Sequence, residues 1–283
     1  MSNLLDTIIL PSGHPQSLRV NAVRCTSGVS GPTLETVAEE TPIGLEYNGV
    51  PHVVMLATPA DIEDFALGFS LTEGILKHPD ELKDMEVCEF SGGLQVKMTI
   101  DTTRFETLDL RRKNLAGRTG CGLCGAEHLA QVFRPMADVT STHRLPVPAL
   151  EQALRHLNRH QPLQQETGAT HAAFWLDEQH RIALSREDVG RHNALDKLVG
   201  ALTRQGTDFS VGALLVTSRA SYEMVQKSIQ MGIGLLLAIS APTALAIRMA
   251  DQFNLTLAGF ARQGHHVVYA HPERFIPSGE FPS

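Results

Sequence analysis

The chain has 283 residues, of which 42% are hydrophobic and 19% charged, and a net charge of -7. That length and hydrophobic share suit one large or two modest domains with a sizeable core. The acidic balance argues against a general nucleic-acid binder, which is usually basic. The first eleven residues lack a basic region and carry too short an apolar run for a signal peptide, and no stretch is apolar enough over a bilayer's thickness. A cytoplasmic protein, with no membrane and no nucleic-acid partner, is the expectation.

Residues 1–32 are rich in Ser, Gly, Pro and Thr without periodicity and read as a loosely ordered lead-in. Two apolar runs, Ile43 to Tyr47 and His52 to Leu56, flank Asn48-Gly49, a strong hairpin signal. Thr58-Pro59-Ala60-Asp61 has the form of a helix start, with Thr58 as cap and Pro59 in the first turn. Ile62, Phe65, Ala66 and Phe69 follow at helical spacing and predict one apolar face. Gly74 marks a break. Met85 to Phe90 and Leu94 to Ile100 predict a second hairpin. Residues 104–118 are locally basic, with a net of +3 from Arg104, Arg111, Arg112, Lys113 and Arg118 against Glu106 and Asp109. Ala126 to Phe133 reads as a short helix, and Thr140 to Pro148 as a linker.

Beyond Pro148 the rhythm becomes regular. Leu150, Ala153, Leu154 and Leu157 mark a helix. His171 to Leu176 and Ile182 to Ser185 read as a hairpin, and Leu195 to Leu202 as a helix closed by Gly206. Then come a strand at Ala213 to Val216, a helix at Tyr222 to Met231, a strand at Leu235 to Ile239, a helix at Thr243 to Phe253 and a strand at Leu255 to Phe260. This alternation predicts parallel strands in an α/β domain. Val267 to Ala270 adds a candidate edge strand. The expected division is a lead-in at 1–32, an α+β region at 33–140 and an α/β domain at 141–283.

Of the four cysteines, Cys25 and Cys88 read as small hydrophobes. Cys121 and Cys124 differ. They lie three positions apart among Gly117, Gly120, Gly122 and Gly125. A helix start just beyond them and the arginines before them both favour thiolate, the nucleophilic form. Residue chemistry leaves three readings: sulfur or redox chemistry, half of a zinc site with His128 and His171 as candidate further ligands, and a pair with no chemistry. A thioredoxin-like oxidoreductase is weakened because no early βαβ unit precedes the pair.

The carboxyl ends of parallel strands are where ligands bind in open α/β sheets. Here those ends carry Thr217-Ser218-Arg219-Ala220-Ser221, then Ser240-Ala241-Pro242-Thr243, then Phe260 through His265. Hydroxyls, helix starts and the guanidinium groups of Arg219 and Arg262 suit a phosphate. Plain helix capping by Ser221 and Ser240 is the competing reading. Arg186-Glu187-Asp188-Val189-Gly190-Arg191-His192-Asn193 reads equally as a functional site and as a solvated loop capped by Asp188 or Asn193. His171 reads as a structural histidine.

Six stretches, in order, carry a family resemblance: Phe65 to Gly74; Gly120 to Gly125; Thr170 to Ala173; Glu187 to Leu198; Ser218 to Lys227; and Leu255 to Arg262. Together they resemble the FdhD family, the formate dehydrogenase accessory sulfurtransferases. The resemblance implies a homodimer whose larger C-terminal domain is layered like a cytidine deaminase, joined to a smaller α+β N-terminal region. It implies transfer of sulfur from a cysteine desulfurase, as a persulfide, to the bis-molybdopterin guanine dinucleotide form of the molybdenum cofactor, for use by formate dehydrogenase. Cys121 would carry the persulfide beside Cys124. The cofactor would contact Phe260, Ala261, Arg262, Gln263, Gly264 and His265, with Ser218 and Arg219 suited to its diphosphates, and no permanent metal would be held. The deaminase signature of His-x-Glu followed by Pro-Cys-x-x-Cys is missing, since Ala173 stands two after His171 and the cysteines come earlier. A non-enzymatic cofactor chaperone and a zinc protein are the alternatives.

Overall fold

A computed structural model describes residues 13–90, 92–113 and 135–277. Cys121, Cys124, His128 and the helix expected at Ala126 to Phe133 lie outside the described residues.

Chain entry differs from expectation. β1 (Ser17–Thr26) and β2 (Val29–Ala38) form a continuous antiparallel hairpin where a loose lead-in was predicted. β1 mixes Arg and Asn with Leu and Val, and β2 mixes Thr and Glu with Val and Leu, on partly exposed faces, so no sustained alternation announces the hairpin. Cys25 sits on this hairpin and is exposed, not a core hydrophobe.

The expected hairpins follow. β3 (Thr41–Tyr47) and β4 (Val50–Ala57) turn at Asn48-Gly49, both with positive φ. β5 (Leu82–Phe90) and β6 (Gly93–Ile100) pair antiparallel, and β6 joins β3 in parallel, giving one sheet in the order β4-β3-β6-β5. The basic stretch begins as a helix, α2 (Thr102–Lys113). Within it, Arg104 donates to the carbonyls of Gly74 and Ile75 and pairs with Glu81, so it braces this unit.

Between β4 and β5 runs α1 (Ile62–Thr72). Its apolar side, with Phe65 and Phe69, covers the sheet against Tyr47, Val96 and Met98. The sequence predicts one apolar face, yet Asp64 through Thr72 are all buried. The other face is covered by a helix of the second unit.

That unit begins with β7 (Leu145–Pro146), α3 (Val147–His156) and α4 (Pro162–Thr167), so the predicted linker already carries structure. β8 (His171–Leu176) and β9 (Ile182–Asp188) form the predicted hairpin. α5 (Arg191–Arg204), β10 (Ala213–Val216), α6 (Tyr222–Gln230), β11 (Leu235–Ala238), α7 (Ala244–Gln252), β12 (Thr256–Arg262) and β13 (His265–Ala270) follow in the expected order. The sheet runs β13-β12-β11-β10-β8-β9. As predicted, β10, β11 and β12 are parallel, while β8 runs against β10. A last short strand, β14 (Phe275–Ile276), pairs with β7.

Two cores sandwich the larger sheet. α5, α6 and α7 pack on one face through Leu195, Leu198, Val225 and Met249. α3, β7 and β14 pack on the other through Leu145, Leu150, Leu154 and Phe275. Among the described residues, no helix is long and apolar enough to cross a membrane.

The two units meet where α1 crosses α5. A Cβ on Gly68 would stand 1.7 Å from the Asp196 carbonyl oxygen, and one on Gly200 would stand 1.9 Å from that of Asp64. Neither neighbour is a side chain that can swing away, so only glycine permits this approach. Gly68→Ala or Gly200→Ala should therefore lower the unfolding free energy by about 2 kcal/mol or more. Gly31→Ala, with open space around it, should stay within about 0.5 kcal/mol. Urea midpoints of the three variants provide the check.

Candidate functional site

Charges that no local pattern predicts line the junction. Asp188, at the end of β9, has no exposed surface. Its carboxylate accepts from the Thr58 backbone N–H at 3.0 Å, from that of Gly190 at 2.7 Å and from Asn193 Nδ2 at 3.0 Å. It also pairs with Lys197 Nζ at 2.7 Å. Lys197 in turn donates to the Thr58 carbonyl. Asp188 is therefore not part of a solvated loop. Thr58 is not the helix cap either: it is fully buried, its hydroxyl accepts from Val189 N–H, and Asp61 occupies the cap position of α1. On the next turn of α5, Asp196 pairs with Lys227 of α6 at 2.9 Å and accepts from the Thr72 hydroxyl at 2.7 Å, while Glu73 closes on Lys227 at 3.0 Å. Burial pushes the Asp196 carboxyl above its usual range, against the pull of Lys227 and Thr72. Removing one partner of such a pair typically costs about 3–5 kcal/mol.

This scaffold presents one edge of the larger sheet. β9, β10, β11 and β12 all end there, and β8 and β13 begin there. At the β12–β13 turn, Arg262 is opposite His265, with Gln263 and Gly264 between. The Gly264 N–H donates to Glu151. Phe260 is exposed and has φ 52, a left-handed conformation unusual for a bulky residue. Its N–H donates to the Ser240 carbonyl at 3.1 Å. Strain at an exposed aromatic, fixed by a neighbouring loop, is a feature that clusters at ligand sites. Ala261 beside it is buried.

The loops after β10 and β11 are stitched together. Ala220 bridges Pro242, and Thr243 N–H donates to the Ala220 carbonyl. Ser218 is buried and its hydroxyl turns to the Arg219 carbonyl, while Arg219 is exposed. Capping falls differently from expectation. Thr243, not Ser240, caps α7 by accepting from Ala246 N–H. Ser221 occupies the cap position of α6 but makes no capping bond, and its hydroxyl donates to Glu223 at 2.8 Å.

Sequence reading passed over Glu223. His192 stands 3.8 Å from its Oε2, a charge contact too long for a formed hydrogen bond. That imidazole, with the Ser221 hydroxyl and the Glu223 N–H, holds the carboxyl at about 2, against an ordinary 4.5. His171, opposite Asp188, is half-buried on the same edge, and burial followed by Arg191 and His192 pushes its imidazole below the ordinary value. Glu223 and Lys227 are one helical turn apart within a stretch that carries the family resemblance, which was the available signal. Among the described residues, no three His, Cys, Asp or Glu side chains are grouped to hold a metal ion.

The model of the FdhD/NarQ family matches residues 38–276. A sulfur carrier protein FdhD from Cupriavidus necator is 57% identical over 85% of this chain and 83% of its own length. Another, from Xanthomonas campestris pv. campestris, is 52% identical over 92% of this chain and 93% of its own. The chain belongs to the FdhD/NarQ family. A crystal structure from Desulfotalea psychrophila, provisionally named a formate dehydrogenase accessory protein, shares the fold with a TM-score of 0.72 at 24% identity. It covers 93% of this chain and all of its own.

The Glu223 carboxyl makes a pH prediction. A depressed carboxyl stabilises the fold above its unfolded value, and that contribution fades as pH falls from 4.5 toward about 2. Screening at a partly exposed site reduces it to about 1 kcal/mol. Glu223→Gln should therefore be less stable than the parent at about pH 6 and equal to it near about pH 2, by urea unfolding.

Proposed function

We propose that this protein is a sulfurtransferase that carries sulfur on Cys121 to the bis-molybdopterin guanine dinucleotide form of the molybdenum cofactor, for formate dehydrogenase. Membership of a family whose close relatives are sulfur carrier proteins supports the reading. The observation that carries it is the convergence at one sheet edge of a strained exposed aromatic, Phe260, with Arg219, Arg262 and three helix starts. Aromatic faces suit a guanine or pterin ring, and guanidinium groups suit diphosphates.

In the proposed reaction the Cys121 thiolate attacks the outer sulfur of a cysteine desulfurase persulfide. The donor's S–S bond breaks, its thiolate leaves, and a new S–S bond forms on Cys121. The Cys121 S–S bond then breaks, Cys121 leaves as thiolate, and the terminal sulfur becomes a sulfido ligand of the cofactor's metal, which supplies the two electrons and is substrate here, not a resident group. Phe260 to His265, with Ser218 and Arg219, hold that cofactor, and Cys124 supports loading or discharge.

The larger unit is layered like a cytidine deaminase in this reading. Its support is the core order β9-β8-β10-β11-β12 with β8 reversed and helices on both faces. The domain division at 33–140 and 141–283, a homodimer and a cytoplasmic location complete the proposal. A non-enzymatic cofactor chaperone is the competing reading, favoured by the same edge but giving the cysteines no task.

Incubation with a cysteine desulfurase and cysteine, followed by intact mass, tests the assignment. The wild type should gain one sulfur atom, Cys121→Ala none, and Cys124→Ala should still load. Cys121→Ala that loads normally, or that still supports an active formate dehydrogenase, would contradict it.

A further inference from the structure

The proposed cofactor contacts occupy the β10–β13 end of the edge, and the β8–β9 end has no assigned role. It presents Arg191, the first residue of α5, with His171 and His192. Arg191 is only partly exposed, its Nε is buried, and that nitrogen has no hydrogen-bond partner among the described residues. The nearby carboxylates are engaged elsewhere. Asp188 is filled by Lys197, Asn193 and two backbone N–H groups. Glu187 accepts from the N–H groups of Leu163 and Gln164 and from the Thr170 hydroxyl. Glu223 accepts from the Ser221 hydroxyl. His192 Nε2 is buried, faces the Glu223 carboxylate at 3.8 Å, and makes no formed hydrogen bond among the described residues. His171 is opposite Asp188, which stands three positions before Arg191, and both Arg191 and His192 are close enough to act on its imidazole. A guanidinium and two imidazoles thus share this end, and burying a charge without a partner is costly.

We propose that Arg191, with His171 and His192, forms an anion subsite that takes a phosphoryl group of the same diphosphate-bearing ligand whose other end lies against Phe260 to His265. It rests on the proposed cofactor reading and extends it along the edge. β8 and β12 are separated by β10 and β11, so three strand spacings, about 14 Å, divide the two ends. A ligand with two dinucleotide arms is long enough to bridge them. The planar fork of Arg191 suits two phosphate oxygens, and His171 adds a ring N–H. Arg219 follows β10 and Arg262 ends β12, while Arg191 follows β9.

The probe is inorganic pyrophosphate, titrated by calorimetry into the full chain while the histidine ring protons are followed by NMR, with the His171 signal assigned by loss in His171→Gln. An Arg219→Gln/Arg262→Gln double variant silences the other end. In that background pyrophosphate should still bind and shift the His171 signal. Adding Arg191→Gln should weaken binding about tenfold or more, and Arg191→Lys should recover part of the loss. Arg24→Gln, on the β1–β2 hairpin, should change nothing. Urea midpoints establish that each variant is folded. Undiminished binding in folded Arg191→Gln overturns the subsite and leaves the cofactor reading standing. Failure of the wild type to bind pyrophosphate at either end overturns both.

Discussion

The crossing of α1 over α5 is the contact on which the rest of the structure depends. Gly68 and Gly200 bring the two helix backbones together, and two buried charge pairs of the larger unit, Asp188 with Lys197 and Asp196 with Lys227, bond Thr58 before α1 and Thr72 and Glu73 at its end. Close approach supplies dispersion over a long contact, and the charges fix its register. Each pair is expensive to break because the survivor stays buried. With total stabilities of about 5–15 kcal/mol, loss of one pair removes a large fraction of what holds the units together.

The same contacts shape the edge proposed to hold the ligand. Asp188 receives N–H groups from Thr58, before α1, and from Gly190, before α5. The N-terminal unit therefore helps set the turn from which Arg191 and His192 project. Lys227, fixed by Asp196, Thr72 and Glu73, anchors α6 one turn after Glu223. Glu223 in turn holds His192. A shift at the junction would thus displace groups at the edge without touching any ligand contact. This coupling accounts for stretches of the family signature that carry no obvious chemistry: Phe65 to Gly74, Asp188 to Leu198 and the end of Ser218 to Lys227 build the junction.

Much of the fold was legible in local pattern. Asn48-Gly49 marks its hairpin through turn chemistry, and strand–helix alternation after Ala213 yields the parallel β10, β11 and β12. The strand-end rule then points to Ser218, Arg219 and Phe260 to His265 without knowledge of the sheet order. What escaped was long-range. Asp188 and Thr58 are 130 positions apart, so charge and hydroxyl read locally as a loop and a helix cap. The buried second face of α1 escaped for the same reason, since Asp64 and Thr72 read as solvent-facing until α5 covers them. The β1–β2 hairpin escaped because its mixed, half-exposed strands lack alternation. Cys121 and Cys124 were the plainest chemical signal in the sequence, and their role is argued from thiol chemistry and family.

In the proposed reaction a sulfur-loading cysteine serves an edge built by six strands and held in place by a helix crossing that Gly68 and Gly200 make close, and sulfur moves from Cys121 to the bound cofactor. The most direct measurement is single-turnover transfer of radiolabelled sulfur. The protein is loaded from a desulfurase with labelled cysteine, freed of donor, and mixed with the guanine dinucleotide cofactor. The account predicts that label leaves the protein and appears on the cofactor in the wild type, with no label loaded on Cys121→Ala. Label that stays on the protein while the cofactor binds normally would contradict it.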